Sequence, residues 1–264
     1  MRGSSGRLLD FRLVAGGFAV LLAATALAAD PGAFLAGGSK DCTACDLSDR
    51  DLKERNFQRS RLDGVVFRNA DLTGASLFRS TLQRSDFSGA RLIGANLNAT
   101  DAKWSNFAGA DLTDALMYEA DFSSVDLGGA VLKGAKLGRA RLNAAILTGA
   151  KLMLTDLRGA RLAGAKMAGV DLRSSTLNGQ NLRTMDLQGI DFSMSDMIEA
   201  DFLGADLRGA QFAGVNLYGA TFNSADLRGA NFEGANLTNA IFTDARLEGA
   251  VFTDAIMPDG RRKE

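Results

Sequence analysis

The chain contains no histidine, which removes the commonest general acid–base side chain and the commonest transition-metal ligand together. Proline is nearly missing too, with 2 residues in 264, and aromatic side chains make up only 7%. A formal net charge of −1 leaves no global field to recruit nucleic acid or an anionic membrane. What the chain has in abundance is glycine, 30 residues, and a strict spacing of leucine and phenylalanine.

A long uncharged run, "LVAGGFAVLLAATALA", extends from Leu13 to Ala28. Arg2, Arg7 and Arg12 precede it against one acid, Asp10, and it ends in Ala26-Leu27-Ala28 with Asp30-Pro31 beyond. A basic start, a short apolar stretch and an A-x-A end predict a secretory signal peptide over 1–28, with the mature chain starting near Ala29. The expected location is periplasmic or secreted. An uncleaved N-terminal membrane anchor is the alternative, although the run is short for a membrane helix. Residues 29–41 read as a glycine-containing linker.

Beyond it, a large apolar residue recurs at every fifth position, from Leu47, Leu52 and Phe57 to Phe252 and Met257, with only Ala102 small. Two residues before each of these centres the chain is usually alanine, and just before it stands Asp or Asn in many units. Neither regular element serves this period. Five helical residues rotate a side chain by about 500°, so successive centres would spread round the surface. Five strand residues flip the face, so alternate centres would meet solvent. The chain must turn once per unit, and Gly and Asx supply the corner conformations.

Two columns set the number of corners. The residue two after the centre is glycine at 89, 109, 129, 149, 169, 189, 209, 229 and 249, a spacing of twenty. Phenylalanine recurs every ten residues from Phe192 to Phe252, which puts it on two opposite walls of a four-cornered coil. The repeat therefore predicts a square coil of twenty residues over 42–257, about ten to eleven layers stacked 4.8 Å apart in a rod of roughly 50 Å. Residues 258–264 read as a C-terminal tail. A filled interior leaves no lumen and no small-molecule substrate is expected.

The units "ADLTG", "ANLNA", "ADLRG" and "ANFEG" resemble the loose A-(D/N)-L-x-x consensus of the pentapeptide-repeat family, over about residues 46–257. The resemblance implies an all-β fold, a right-handed quadrilateral parallel β-helix. It also implies a disulfide bracket ahead of the first full coil, which some members carry, and self-association at the C-terminal coil, which members often show. "KDCTACDL" places Cys42 in the centre frame and Cys45 in the small-residue frame. In an exported chain these two are expected to pair as a cap. A redox centre needs an exposed thiolate at a helix start, and two sulfurs without histidine make only half a zinc site.

Chemistry has little to work with. Asp186, Asp206 and Asp226 share a column, as do Asp171 with Asp191 and Asp101 with Asp121, at a separation approaching a retaining glycosidase pair. Coil spacing alone forces that coincidence, and Asx side chains at corners are expected to bond local backbone N–H groups. Calcium on such a column is a minor alternative. No catalytic residue, cofactor or metal is expected. Charge is banded instead: residues 131–173 carry nine cations against two acids, while 41–126 are net −4 and 174–257 net −7. Arg139, Arg141, Arg158 and Arg161 are expected to cluster at one corner of neighbouring coils as the candidate site for an anionic partner. A solvated face partly neutralised by its neighbours is the plain alternative.

The expected function is a non-enzymatic exported structural or binding rod presenting this surface to a protein or polyanionic partner. A nucleic-acid-mimicking inhibitor or protector of a DNA topoisomerase is the alternative, since some cytosolic members of the family protect gyrase from fluoroquinolones as acidic rods. The signal peptide, the basic belt and the lack of a dimerising C-terminal extension all depart from that pattern. An enzyme using the aspartate columns is the lesser alternative.

Overall fold

The computed structural model describes residues 29–264, so the expected signal peptide lies outside the described residues. From Asp41 on, the residue before each centre pairs in parallel with the residue twenty further along: Asp41 with Arg61, Asp46 with Val66, Asp51 with Asp71, Asn56 with Ser76. Four such pairings close each coil, which makes the square. Its first wall holds centres Leu62 and Leu82, its second Phe67 and Phe87, its third Leu72 and Leu92, its fourth Leu77 and Leu97.

Each corner is one tight turn. Ala70 N–H donates to Phe67 O at 3.0 Å and Ala75 N–H to Leu72 O at 2.9 Å, closing four-residue turns. The third turn residue takes a left-handed φ, 53° at Asn69 and 66° at Gly74, and does so at every fifth position from 44 to 254. A glycine column there is explained directly. Non-glycine residues, including Arg59, Trp104 and Met194, occupy the same conformation at a cost of about 1–2 kcal/mol each. The ladder holds them in it: Leu47 N–H to Val66 O, Asp49 N–H to Arg68 O and Val66 N–H to Cys45 O fall between 2.7 and 2.9 Å, three bonds per unit between coils.

Inside, the centres and alanines are buried throughout the middle of the rod. Phe212 and Phe232 stack on the third wall with centroids 4.8 Å apart, Phe202 and Phe222 on the first at 4.9 Å, and the two stacks meet edge-on. Outside, Asx side chains hold the turns: Asp46 Oδ1 accepts from Ser48 N–H at 2.9 Å and Asp71 Oδ1 from Thr73 N–H at 3.1 Å.

The ladder opens in one place. Among the described residues, no pairing joins Arg161 to Asn181 or Lys166 to Asp186. The N–H groups of Leu162, Gly164, Met167 and Gly169 lack the carbonyl that their counterparts reach on other coils. Three successive corners of the upper coil carry Gln180, Met185 and Ile190 where alanine is usual. Gln180 is 2% exposed, and its Nε2 donates to Ala160 O at 2.7 Å, the acceptor that Asn181 N–H would otherwise use. Its Oε1 is buried without a partner. The third and fourth walls keep the pairings Asp171–Asp191 and Asp156–Thr176, although Gly159 N–H and Asp191 N–H also lack their inter-coil carbonyls, so the breach is centred on two walls and reaches the margins of the others.

Both ends are covered in part. The segment read as a linker is more than that: it contains helix α1, Pro31–Leu35, capped by Asp30, whose Oδ1 accepts from Gly32 N–H at 2.8 Å. Phe34 of α1 is buried and stacks on Phe57 at 5.2 Å, plugging the first coil. Cys42 and Cys45 are buried beside it and joined by a disulfide. At the other end the tail folds back, with Ile256 and Arg262 paired antiparallel and Met257 N–H donating to Arg261 O at 2.7 Å. Phe242, Leu247 and Phe252 remain only partly buried. No helix among the described residues is long and apolar enough to cross a membrane.

Candidate anion-binding edge

The corner between the fourth and first walls gathers two outward-facing columns. One is the left-handed residue past each fourth-wall centre, here Glu119, Arg139 and Gly159. The other is the paired residue before each first-wall centre, here Asp121, Arg141 and Arg161. Glu119, Arg139, Arg141, Gly159 and Arg161 line a groove of about 520 Å³. Gly159 places no side chain where Arg139 has one a coil below, so the groove is open at that level.

Its arginines are loosely held. Arg139 Nη1 lies 3.4 Å from Glu119 Oε1 and Arg141 Nη1 3.3 Å from Asp121 Oδ2, with both guanidinium side chains more than half exposed. Such pairs contribute about 0–1 kcal/mol. Arg161 makes no ion pair among the described residues. Arg158, expected in the same cluster, turns away: it clamps Asp156 through Nε–Oδ1 at 2.9 Å and Nη2–Oδ2 at 2.6 Å. It lines a neighbouring depression with Tyr118, Lys136 and Arg139. The structure therefore brings three of the four predicted arginines together.

The aspartate columns are real, but a cation sits in each. Lys53 Nζ lies 3.3 Å from Asp51 and 3.4 Å from Asp71, and Lys103 Nζ 3.3 Å from Asp101 and 3.8 Å from Asp121. Arg173 reaches Asp171 at 2.7 Å and Asp191 at 3.7 Å, while Arg208 and Arg228 clamp Asp206 and Asp226. The Arg228 clamp, with the Arg228 backbone N–H, holds the Asp226 carboxyl down at about 2. The same bidentate bond holds Asp156, Asp171 and Asp206 below the usual carboxylate range. A general acid needs the opposite shift. No group of three acidic or cysteine side chains among the described residues is arranged to hold a metal ion.

A second basic group, Lys40, Arg59, Arg61 and Arg79, occupies the same edge near the N-terminal end. Its three arginines fall within 41–126 and disappear into that segment's net charge of −4, yet Arg59 and Arg79 stand twenty apart in the sequence and so share one column.

Comparison with protein-family profiles matches "Pentapeptide repeats" in overlapping stretches running from 41–77 to 216–254. Comparison with curated proteins found no match. Among solved structures the chain is similar to HetL of the cyanobacterium Nostoc sp. strain PCC 7120, a pentapeptide repeat protein involved in heterocyst differentiation regulation. Identity is 26%, with 87% of this chain and 96% of that one covered and a TM-score of 0.35. Trypsin-treated QnrB1, a plasmid-mediated fluoroquinolone resistance protein, is 23% identical over 74% of this chain and 86% of its own, with a TM-score of 0.39. A pentapeptide repeat protein of the Arabidopsis thaliana thylakoid lumen is 24% identical over 55% and 69%, with a TM-score of 0.11. With its repeats matched from 41 to 254 and four parallel pairings closing each twenty-residue coil, the chain belongs to the pentapeptide repeat family and folds as that family's right-handed quadrilateral β-helix.

Proposed function

We propose that the protein is a non-enzymatic binding rod, exported by its N-terminal segment, which docks an acidic protein surface on the edge built from Arg139, Arg141 and Arg161. The observation that carries this reading is Arg161, unpaired among the described residues, beside two arginines whose acids hold them only at 3.3–3.4 Å. An incoming carboxylate gains bidentate partners there without first breaking a tight clamp. Mixed charge favours a protein over a pure polyanion, because Glu119 and Asp121 stand among the arginines and repel a uniformly anionic chain. Tyr118, 44% exposed with the Arg139 guanidinium 5.8 Å over its ring, borders the groove and supplies the apolar contact that protein interfaces use. The clamped aspartates support a function without catalysis.

The test is a photo-crosslinker at Ala163, beside the groove, in protein from the native compartment. One discrete adduct is expected, lost in the Arg139→Glu/Arg161→Glu double variant and weakened by salt. An adduct unchanged in that variant refutes the docking edge, and recovery of a topoisomerase from the cytoplasm favours the mimicry reading instead. Export is checked separately by N-terminal sequencing of periplasmic protein, which should start at or near Ala29; intact Met1 on soluble cytoplasmic protein overturns it.

A further inference from the structure

We propose that the N-terminal end of this edge is a separate phosphate-binding site. A cavity of about 420 Å³ there is lined by Lys40, Arg59, Arg61, Arg79 and the hydroxyl-bearing Ser60, with Asp41 as its one acid. Asp41 cannot neutralise four cations. Its Oδ1 is already taken by the Thr43 N–H and hydroxyl at 2.9 and 2.7 Å, and its Oδ2 lies 3.4 Å from Arg61.

Lys40, Arg59 and Arg79 make no ion pair among the described residues. Arg59 and Arg79 are held side by side by the fold itself. They occupy the left-handed corner position on consecutive coils, at φ 54° and 56°, about one ladder spacing apart. Like charges on adjacent rungs repel, and the next residue in the column, Ala99, brings no acid to relieve them. Ser60, also in the lining, belongs to the inward small-residue frame, and its Oγ lacks a partner because the carbonyl that Ser80 reaches at Phe57, at 2.6 Å, has no counterpart ahead of the first coil.

Guanidinium groups from two adjacent coils, with a third and an ammonium in the same lining, suit an oxyanion that has several charged oxygens to share. A carboxylate satisfies one fork and leaves the rest unbalanced. A phosphate group fits the surplus of three positive charges, whether it comes as a soluble phosphate or as a phospholipid headgroup.

The experiment titrates the purified protein with inorganic phosphate and with pyrophosphate by calorimetry at low ionic strength. In parallel, it is sedimented with phosphatidylglycerol vesicles and with phosphatidylcholine vesicles. Binding is expected to weaken by about tenfold or more in Arg59→Gln/Arg79→Gln. It should stay within about twofold in Arg246→Gln, which is far along the rod and leaves this cavity intact. An unchanged thermal midpoint in each variant shows that folding is not the cause. Binding of soluble phosphate identifies a free ligand, and retention on phosphatidylglycerol vesicles alone identifies a headgroup. No binding in either arm, or binding that the double variant keeps, overturns the proposal.

Discussion

Gln180→Ala should make the rod more stable, although it removes a buried side chain. The substitution deletes an amide oxygen that has no partner, whose burial costs about 1–3 kcal/mol. It also frees a side chain whose ordering costs about 1.5–2 kcal/mol. Against this stand one buried methylene, about 0.8 kcal/mol, and the bond from Gln180 Nε2 to Ala160 O. That bond is replaced rather than lost, because Ala160 O becomes available to Asn181 N–H, as Ala140 O is to Arg161 N–H at 2.9 Å. The net expectation is a gain of about 2–4 kcal/mol, read as a higher urea midpoint. Hydrogen exchange supplies the local readout: the amides of Asn181 and Leu162 should slow towards the rates of Arg161 and Leu142. Ala200→Gln, one coil further along the same column, should do the reverse and cost about 1–3 kcal/mol by overpacking. A destabilised Gln180→Ala protein, or one in which Asn181 exchanges as fast as before, would show that the side chain does not cause the breach.

Four further outcomes follow from the same geometry. Leu172→Asp buries a carboxylate without a partner and should cost several kcal/mol, whereas Arg173→Gln, one residue on, loses only surface ion pairs to Asp171 and Asp191 and should move the urea midpoint little. Asp226 should titrate near 2 by carboxyl NMR, and Arg228→Gln should return it towards the ordinary 3.8. Because its folded value is depressed, the stability it contributes is present above about pH 4 and lost as pH falls towards 2, so acid melting should begin at higher pH in the Arg228→Gln protein. Cys45→Ser should raise hydrogen exchange in residues 41–46 and leave the central coils unchanged, since each coil depends on its neighbours.

Most of the fold was legible because one constraint dominates it. A five-residue apolar period cannot be buried by a helix or an unbroken strand, and the glycine and phenylalanine columns at twenty and ten leave the square as the closure. The site was less legible, since a column assigns neighbours but not rotamers. Arg158 shares a corner with Arg139 by position, yet it takes the Asp two residues before it, as Arg173, Arg208 and Arg228 also do. The triplet D-L-R stands in the sequence at each of these four bidentate clamps, although Arg68 and Arg183 reach Asp86 and Asp201 at 2.6 Å without it. Arg161, preceded two residues earlier by Gly159, has no such partner. The breach was visible as well, because Gln180, Met185 and Ile190 are oversized for their frame at three consecutive corners. The plug formed by α1 was not: Phe34 lies outside the repeat, and nothing in its spacing points to Phe57.

The two basic groups and the breach bear on one another through the rigidity of the coil. Arg59 and Arg139 are four coils apart in one column, roughly 19 Å at ladder spacing. Every coil between them keeps its parallel pairings, so that distance is fixed. Beyond Arg161 the edge continues to Glu199 and Asp201, but the breach intervenes, with two walls unpaired and two acting as the connection. The acidic third of the rod is therefore joined to the rest by fewer inter-coil bonds than link the coils between the two arginine groups. A partner that spans only the two arginine groups meets a constant spacing, and its affinity should not change when Gln180→Ala closes the ladder. A partner that also reaches Glu199 and Asp201 binds across this weakened joint, and closing it should change that partner's affinity. Comparing the binding of the captured partner to the two proteins separates these cases, and equal affinity would confine the interface to the N-terminal side of the breach.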